Sequence, residues 1–417
     1  MMFESRSQLT AGALLTGLLC AGATQAADQL FVLRGYSDQE VLRMNTDGSA
    51  AVALPLQLDL ANRVRVLGDR LWVVDSGAAE LLGLSLADAL AWQPGDPEPA
   101  VIHVPTSQQP GANPWDVIQL ADGRLAVSNL NAGSVSLLEN EQLQQEIVLP
   151  FASPQALLEQ PGRLLISDSG FGSGTRLMVL DLASLALSDV PTLENPQDLL
   201  ALPDRLDVLC SGNWFGGEAF VLGLDPLSLA PLDTLRLGGH AANLAWDGNH
   251  SVYSGDVWNF PQPGVYRYDS IGRQVTHDDS NVLGPGGGYP VFGEQGLFTC
   301  GPTEIYRLSP AGEVLDSLAI GADVAHFCLW RSPGVPRLSV QFRGAGLHFS
   351  WTGEGWSRWK LWRQDVGNSA PMLLAECDTT AHFMPLGAGD TGARFTVSGF
   401  QWDSAPAGVR ESDGRSR

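Results

Sequence analysis

The chain has 417 residues, and its 46 Asp and Glu against 24 Lys and Arg give a formal net charge of 24 − 46 = −22. Its 44% hydrophobic and 17% charged residues are a globular composition, and the length allows one large all-β unit or two to three ordinary domains. The charge excludes nucleic acid and anionic lipid surfaces as partners, because both need a basic footprint, and a single lysine, Lys360, leaves almost no candidate for Schiff-base chemistry.

Residues 1–26 read as a secretory signal peptide. Arg6 supplies a weak basic start, Leu9 to Ala23 is apolar, and small residues lead up to cleavage after Ala26. The apolar core is too short for a comfortable membrane span. Cys20 follows Leu19, where a lipid-attachment motif wants Gly, Ala or Ser. The expected mature chain inserts in no membrane and is extracytoplasmic, in the periplasm or at the cell surface. It keeps Cys210, Cys300, Cys328 and Cys377. The first three lie in apolar strand-like runs, where cysteine behaves as a small buried hydrophobe. If one bridge forms, Cys300–Cys328 is the best candidate, because the two fall on adjacent repeats. Nothing has the CxxC or Cys/His spacing of a zinc site.

From Gln29 onward the chain repeats. One unit runs from Asn113-Pro114-Trp115-Asp116-Val117 through a turn at Asp122-Gly123 to Leu125-Ala126-Val127-Ser128-Asn129. Alternating strands at Gly133 to Leu138 and around Glu146 to Leu149 complete it. The same grammar starts near residues 62, 153, 195, 240 and 288, at intervals of roughly 35–51 residues, the period of propeller blades. Gln29 to Leu33 reads as a second strand with no first strand before it. Ala322 to Trp330 reads as a first strand with no successor. Pairing the two closes a ring of seven blades, so the fold expected for residues 27–333 is an all-β seven-bladed β-propeller.

The segments Asn113 to Val117, Asp122 to Asn129 and Gly133 to Leu137 resemble the YVTN-type repeats of secreted bacterial propellers, the YncE-like group. Ala-Val-Ser-Asn at 126–129 stands where that family has its signature tetrapeptide. The resemblance covers about residues 28–330. It implies the fold and leaves the activity open, since such propellers carry very different functions. The likeness to YncE-like and surface cobalamin-binding propellers implies one version of a function: presenting a ligand to an outer-membrane TonB-dependent transporter.

After Pro333 and Pro336 the pattern changes. Strands are expected at Arg337 to Phe342, Leu347 to Trp351, Trp359 to Arg363, Met372 to Ala375 and Ala393 to Val397. They suggest a small β-sandwich over 336–402 that looks like a fibronectin type III-like module. Trp351, Trp356, Trp359 and Trp362 read there as core and packing residues rather than a sugar platform. Residues 403–417 are polar and read as a disordered tail.

Enzyme motifs such as HExxH, a P-loop or GxSxG are absent, and no cofactor or metal site is assigned. His326 reads as a core histidine. Asp75, Asp168 and Asp256, with Asn129 and Asn213, recur at the ends of second strands. Turn chemistry explains such recurrence, and a ring of oxygen ligands for Ca²⁺ is the sharper alternative. In a four-stranded blade, the loop after the second strand and the loop before the first open on one face. That mouth is expected to collect Asn113, Trp115, Asn129, Asp168, His240 and Tyr289. Two successive loops add aromatic residues beside polar ones: Asn213, Trp214 and Phe215, then Asp256, Trp258 and Phe260. These twelve residues form the candidate ligand site. The leading expectation is a non-catalytic binding protein that takes a small molecule or partner protein at the mouth. The alternatives are a metal-dependent lyase or lactonase-type hydrolase on the propeller axis, and a structural or adhesion protein.

Overall fold

The computed structural model describes residues 28–331 apart from 37, 151, 214–216, 240, 247–249, 256–263, 279 and 294, together with the backbone of six strands between 337 and 400. The chain divides into two compact units: the propeller, residues 27–331, and a unit that holds residues 332–401.

Seven antiparallel four-stranded sheets make up the propeller. The strands of each blade are called a to d, in hydrogen-bond order outward from the axis. Strand a is Val324–Trp330 in blade 1, Ala61–Leu67 in blade 2 and Pro114–Gln119 in blade 3. It is Pro154–Gln160, Pro196–Ala201, Ala241–Trp246 and Gly288–Gly293 in blades 4 to 7. Blade 1 is completed from the N-terminus, because Val324–Trp330 pairs with Gln29–Arg34. The ring therefore closes by the pairing expected from the sequence.

The second strand of each blade is buried on both faces, which is why it reads as a continuous apolar run rather than an alternating one. Leu71 to Val74, Leu164 to Ile166 and Val208 to Cys210 are all buried. One face of blade 2 packs Val64, Val73 and Leu82 against Phe31, Leu33 and Val41 of blade 1. The other packs Trp72, Val74 and Leu81 against Val117 and Val127 of blade 3. Trp72 pairs across the strands with Gly83, where an added Cβ would lie 2.6 Å from the indole ring, so a side chain at 83 has no room. The outer strand of blade 3, Gln142–Val148, is mostly polar and exposed, a composition that disfavours pairing with other chains.

One helix, Leu86–Ala91, is inserted between strands c and d of blade 2. Arg43 of blade 1 donates to the carbonyls of Ala89 (3.0 Å), Leu90 and Trp92 (3.2 Å) at its C-terminal end.

Cys210, Cys300 and Cys328 are free thiols. The bridge considered for Cys300 and Cys328 does not form. Cys300 packs with Phe298 and Ile305, whereas Cys328 packs on the separate core between blades 1 and 2. Burial pushes both thiols up to about 12.

In the second unit, Arg337–Arg343, Gly346–Thr352 and Ala381–Pro385 pair as one three-stranded sheet. Met372–Cys377, Arg358–Gln364 and Arg394–Phe400 pair as another. Ala381–Pro385 is a strand beyond those expected. Residues 1–26 and 403–417 lie outside the described residues. No helix among the described residues is long and apolar enough to cross a membrane.

Candidate binding site at the mouth of the central channel

The site is built by a repeated irregularity. In blades 2 to 7 the pairing of strands a and b slips just after the first residue of strand a, as between Ala61 and Arg63, Pro114 and Asp116, and Pro196 and Asp198. Such a bulge re-aims the residues it contains. In four of these blades it brings the second residue of strand a to one end of the channel: Asn62, Trp115, Ala242 and Tyr289 all line a cavity of about 1060 Å³ there. Asn113, Asn131, Asn243, Ser76 and the rim residue Asp323 join them. Tyr36 (77% exposed) and Leu60 (55% exposed) stand at the edge.

Next to the mouth the third residues of strand a in blades 1, 2, 3 and 5, namely His326, Arg63, Asp116 and Asp198, form a layer rich in charge, and three of them peg neighbouring blades together. Asp116 Oδ2 accepts from the Leu157 N–H of blade 4 (3.3 Å), Asp198 Oδ2 from the Leu244 N–H of blade 6 (2.8 Å), and His326 Nδ1 from the Val64 N–H of blade 2 (3.4 Å). Strand a is an inner edge strand, so these N–H groups have no further strand to pair with, and a side chain from the preceding blade satisfies each one.

Arg63 Nη1 and Arg65 Nη2 both lie 2.8 Å from Asp116 Oδ1. Burial alone would raise the Asp116 pKa, but the two guanidiniums overcome it and hold the carboxyl below its ordinary value. Burial likewise opposes the charge on Arg63, and Asp116 outweighs it. Asp198 lacks so close a cation. Burial pushes it up to about 6, against the N–H bonds from Leu244 and Leu199. His326 is held well below its usual range by burial and then by Arg63 and Arg65, so it is neutral. Its ring packs 4.3 Å from that of Tyr289, which joins the mouth to this layer.

Of the residues expected at the mouth, Asn113, Trp115 and Tyr289 line the cavity. Asn129 and Asp168 do not. Asn129 is fully buried and donates to Thr106 O, Ser134 Oγ and Ser136 Oγ. Asp168 is 2% exposed, pairs with Arg176 at 2.7 Å, and accepts from the N–H of Ser153 (2.7 Å). Asp75 accepts in the same way from the Asp59 N–H (2.8 Å). Asp75 and Asp168 therefore clamp the loop that leads into their own blade, and Asn129 ties the end of the preceding strand d. This is turn chemistry, and no group of three His, Cys, Asp or Glu gathers to hold a metal ion among the described residues. Asp168 also borders a separate cavity of about 500 Å³ with Phe171 and Arg176 on the rim of blade 4. Asn213 is half-buried and donates to Glu194 Oε2 at 3.2 Å. Trp214, Phe215, His240, Asp256, Trp258 and Phe260 lie outside the described residues.

Sequence reasoning missed Asn62, Asn131 and Asn243 at the mouth, and Arg63, Arg65, Asp116 and Asp198 beside it. Blades 3 and 5 share an Asn-Pro-x-Asp start, at 113–116 and 195–198, which was the available signal for the paired aspartates.

No protein-family model matches the chain, and no curated protein matches it. Solved structures do match in fold. Kuenenia stuttgartiensis hydrazine synthase aligns with a TM-score of 0.51 at 14% identity, over 74% of this chain and 98% of that one. A functionally unknown protein from Desulfotomaculum acetoxidans aligns at 0.53 and 12% identity, over 73% and 99%. A putative 6-phosphogluconolactonase from Bacteroides uniformis aligns at 0.53 and 13% identity, over 73% and 99%. The chain is thus a seven-bladed β-propeller in fold. These neighbours differ in function, so the likeness speaks for the fold alone.

Proposed function

We propose that the protein is an extracytoplasmic, non-catalytic binding protein that holds a small molecule at the mouth of its central channel. The observation that carries this reading is the cavity of about 1060 Å³, where the aromatic side chains of Trp115, Tyr289 and, at the edge, Tyr36 meet several carboxamides. A concave space with apolar faces and a few converging polar groups is the usual form of a small-molecule site. The charged layer beside it is committed to holding blades together, which gives the cavity a rigid wall. Trp214, Phe215, Trp258 and Phe260 are proposed to extend the same site from the loops of blades 5 and 6.

The apolar stretch at Leu9 to Ala23 supports export with cleavage after Ala26, and N-terminal sequencing of the secreted chain tests it. Presentation of the ligand to an outer-membrane TonB-dependent transporter rests on the resemblance to secreted propellers. Residues 336–402 are proposed to form a fibronectin type III-like sandwich.

The test is a thermal-shift screen of the mature protein against a panel of small neutral, anionic, cationic and apolar compounds, repeated on Trp115→Ala, Tyr289→Ala, Trp214→Ala and Trp258→Ala. A ligand that raises Tm in the parent and loses its effect in Trp115→Ala or Tyr289→Ala supports the reading. Ligands insensitive to both changes would move the site elsewhere. One tightly held divalent ion per chain, found by elemental analysis of protein purified without chelator, would turn the account toward the hydrolase or lyase alternative.

A further inference from the structure

We propose that the ligand of the mouth is a neutral saccharide, bound as the end of an oligosaccharide. This rests on the reading that the mouth binds a small molecule, and it names the class.

The lining carries the argument. Gln39, Asn62, Asn113, Asn131 and Asn243 bring five carboxamides to one cavity, and Trp115 and Tyr289, with Tyr36 at the edge, bring three aromatic side chains. A carboxamide offers an acceptor oxygen and a two-proton donor side by side. That pairing matches neighbouring hydroxyls on a sugar ring, each of which both donates and accepts. A pyranose also has a face of C–H groups, which stacks on an aromatic ring. Hydroxyls are costly to take out of water unless each finds a partner, so a site for them needs many polar groups of both kinds. Asn62 lines the cavity with its Nδ2 donating to Pro114 O at 3.0 Å, and its buried Oδ1 meets no donor among the described residues.

Charge sets the neutral class. Among the described lining residues none is basic, and the one charged side chain is the exposed Asp323. The guanidiniums of Arg63 and Arg65, in the layer beside the mouth, are both drawn onto Asp116. A phosphate or carboxylate ligand would meet Asp323 and the field of a chain of net charge −22, with no cation among the described lining residues to receive it. The size fits more than one ring, since the cavity is at the upper end of what drug-sized ligands fill.

The experiment titrates the mature full chain with malto-, cello-, manno- and chito-oligosaccharides, read by tryptophan fluorescence and ligand-observed NMR. The expected result is that at least one series binds, more tightly as the chain lengthens, with an affinity that salt leaves unchanged. Trp115→Ala weakens it about tenfold, the scale of one lost aromatic contact. Asn131→Ala, at an exposed position, weakens it with no change in Tm. If every series fails while the thermal-shift panel returns a charged or apolar ligand that depends on Trp115, the saccharide class is wrong and the binding mouth stands. If no compound of any class binds in a Trp115-dependent way, both readings fall.

Discussion

Leu60 has φ 55° and stands just before strand a, where Asn113 (φ 54°) and Asn195 (φ 60°) occupy the same left-handed position in blades 3 and 5. Asparagine tolerates that backbone, whereas for leucine it costs about 1–2 kcal/mol. Leu60 is also exposed at the rim of the cavity. Leu60→Asn is therefore expected to raise stability by about 1 kcal/mol in denaturant titrations. The reverse case is Asp116. Asp116→Ala leaves Arg63 and Arg65 facing each other without their shared carboxylate, and is expected to cost about 3–5 kcal/mol. A smaller effect than Leu60→Asn would show that the charged layer is not holding the blades.

The two buried aspartates also titrate in opposite senses. The Asp116 carboxyl is held below its unfolded value, so its contribution is present above that value and is lost as pH falls through the folded one. Asp198 is raised from 3.8 to about 6. Between these values the folded chain binds the proton more readily, so Asp198 favours folding more as pH drops from about 7 to about 4. The Tm of the parent minus that of Asp198→Asn should rise over this interval. A flat difference would place the folded pKa near the unfolded one.

At the scale of strands, the apolar second strands were plain in the sequence because both of their faces are covered. Val208-Leu209-Cys210 and Leu164-Leu165-Ile166 can be read without any partner in view. The mouth was harder. A bulge at the start of strand a shifts which side chain faces the axis, and no period-2 pattern reports a bulge, so nothing in the repeat that starts near residue 62 marked Asn62 as a lining residue. Asn129 and Asp168 failed for a related reason. They end a second strand as expected, but their hydrogen-bonding groups are taken inside the blade, Asn129 by Thr106, Ser134 and Ser136 and Asp168 by Ser153 and Arg176.

Blades 5 and 6 show how a strand glycine can be required by charge. Arg205 bridges Asp207 (3.0 Å) and Asp233 (2.7 Å), Arg273 joins the same two carboxylates, and the Tyr268 hydroxyl donates to Asp207 at 2.7 Å. A Cβ on Gly223 would overlap Arg205 Nη2 and lie 2.7 Å from Asp233 Oδ1. Because this guanidinium is held at both ends, it cannot swing aside freely. Gly223→Ala is expected to destabilise by about 2–3 kcal/mol, measured by chemical denaturation.

Across the whole molecule, the ring depends on one strand that arrives last. Val324–Trp330 supplies the inner strand of blade 1, and its His326 accepts from the N–H of Val64 in blade 2. A chain ending at Gly321 is expected to lose cooperative unfolding, because Gln29–Arg34 becomes an open apolar edge. The closure was legible because both orphan strands could be counted. The ligand was not, since the axis is lined by residues from blades far apart in sequence.

The central claim is that the axial mouth bounded by Trp115 and Tyr289 is where the protein binds its ligand. A crystal structure of the mature chain with the tightest compound from the screen tests it most directly. The account predicts the ligand at that end of the channel, stacked on Trp115 and within hydrogen-bond reach of Asn62 or Asn131. A ligand seated instead on the opposite face, or in the outer cavity beside Phe171 and Arg176, would contradict it.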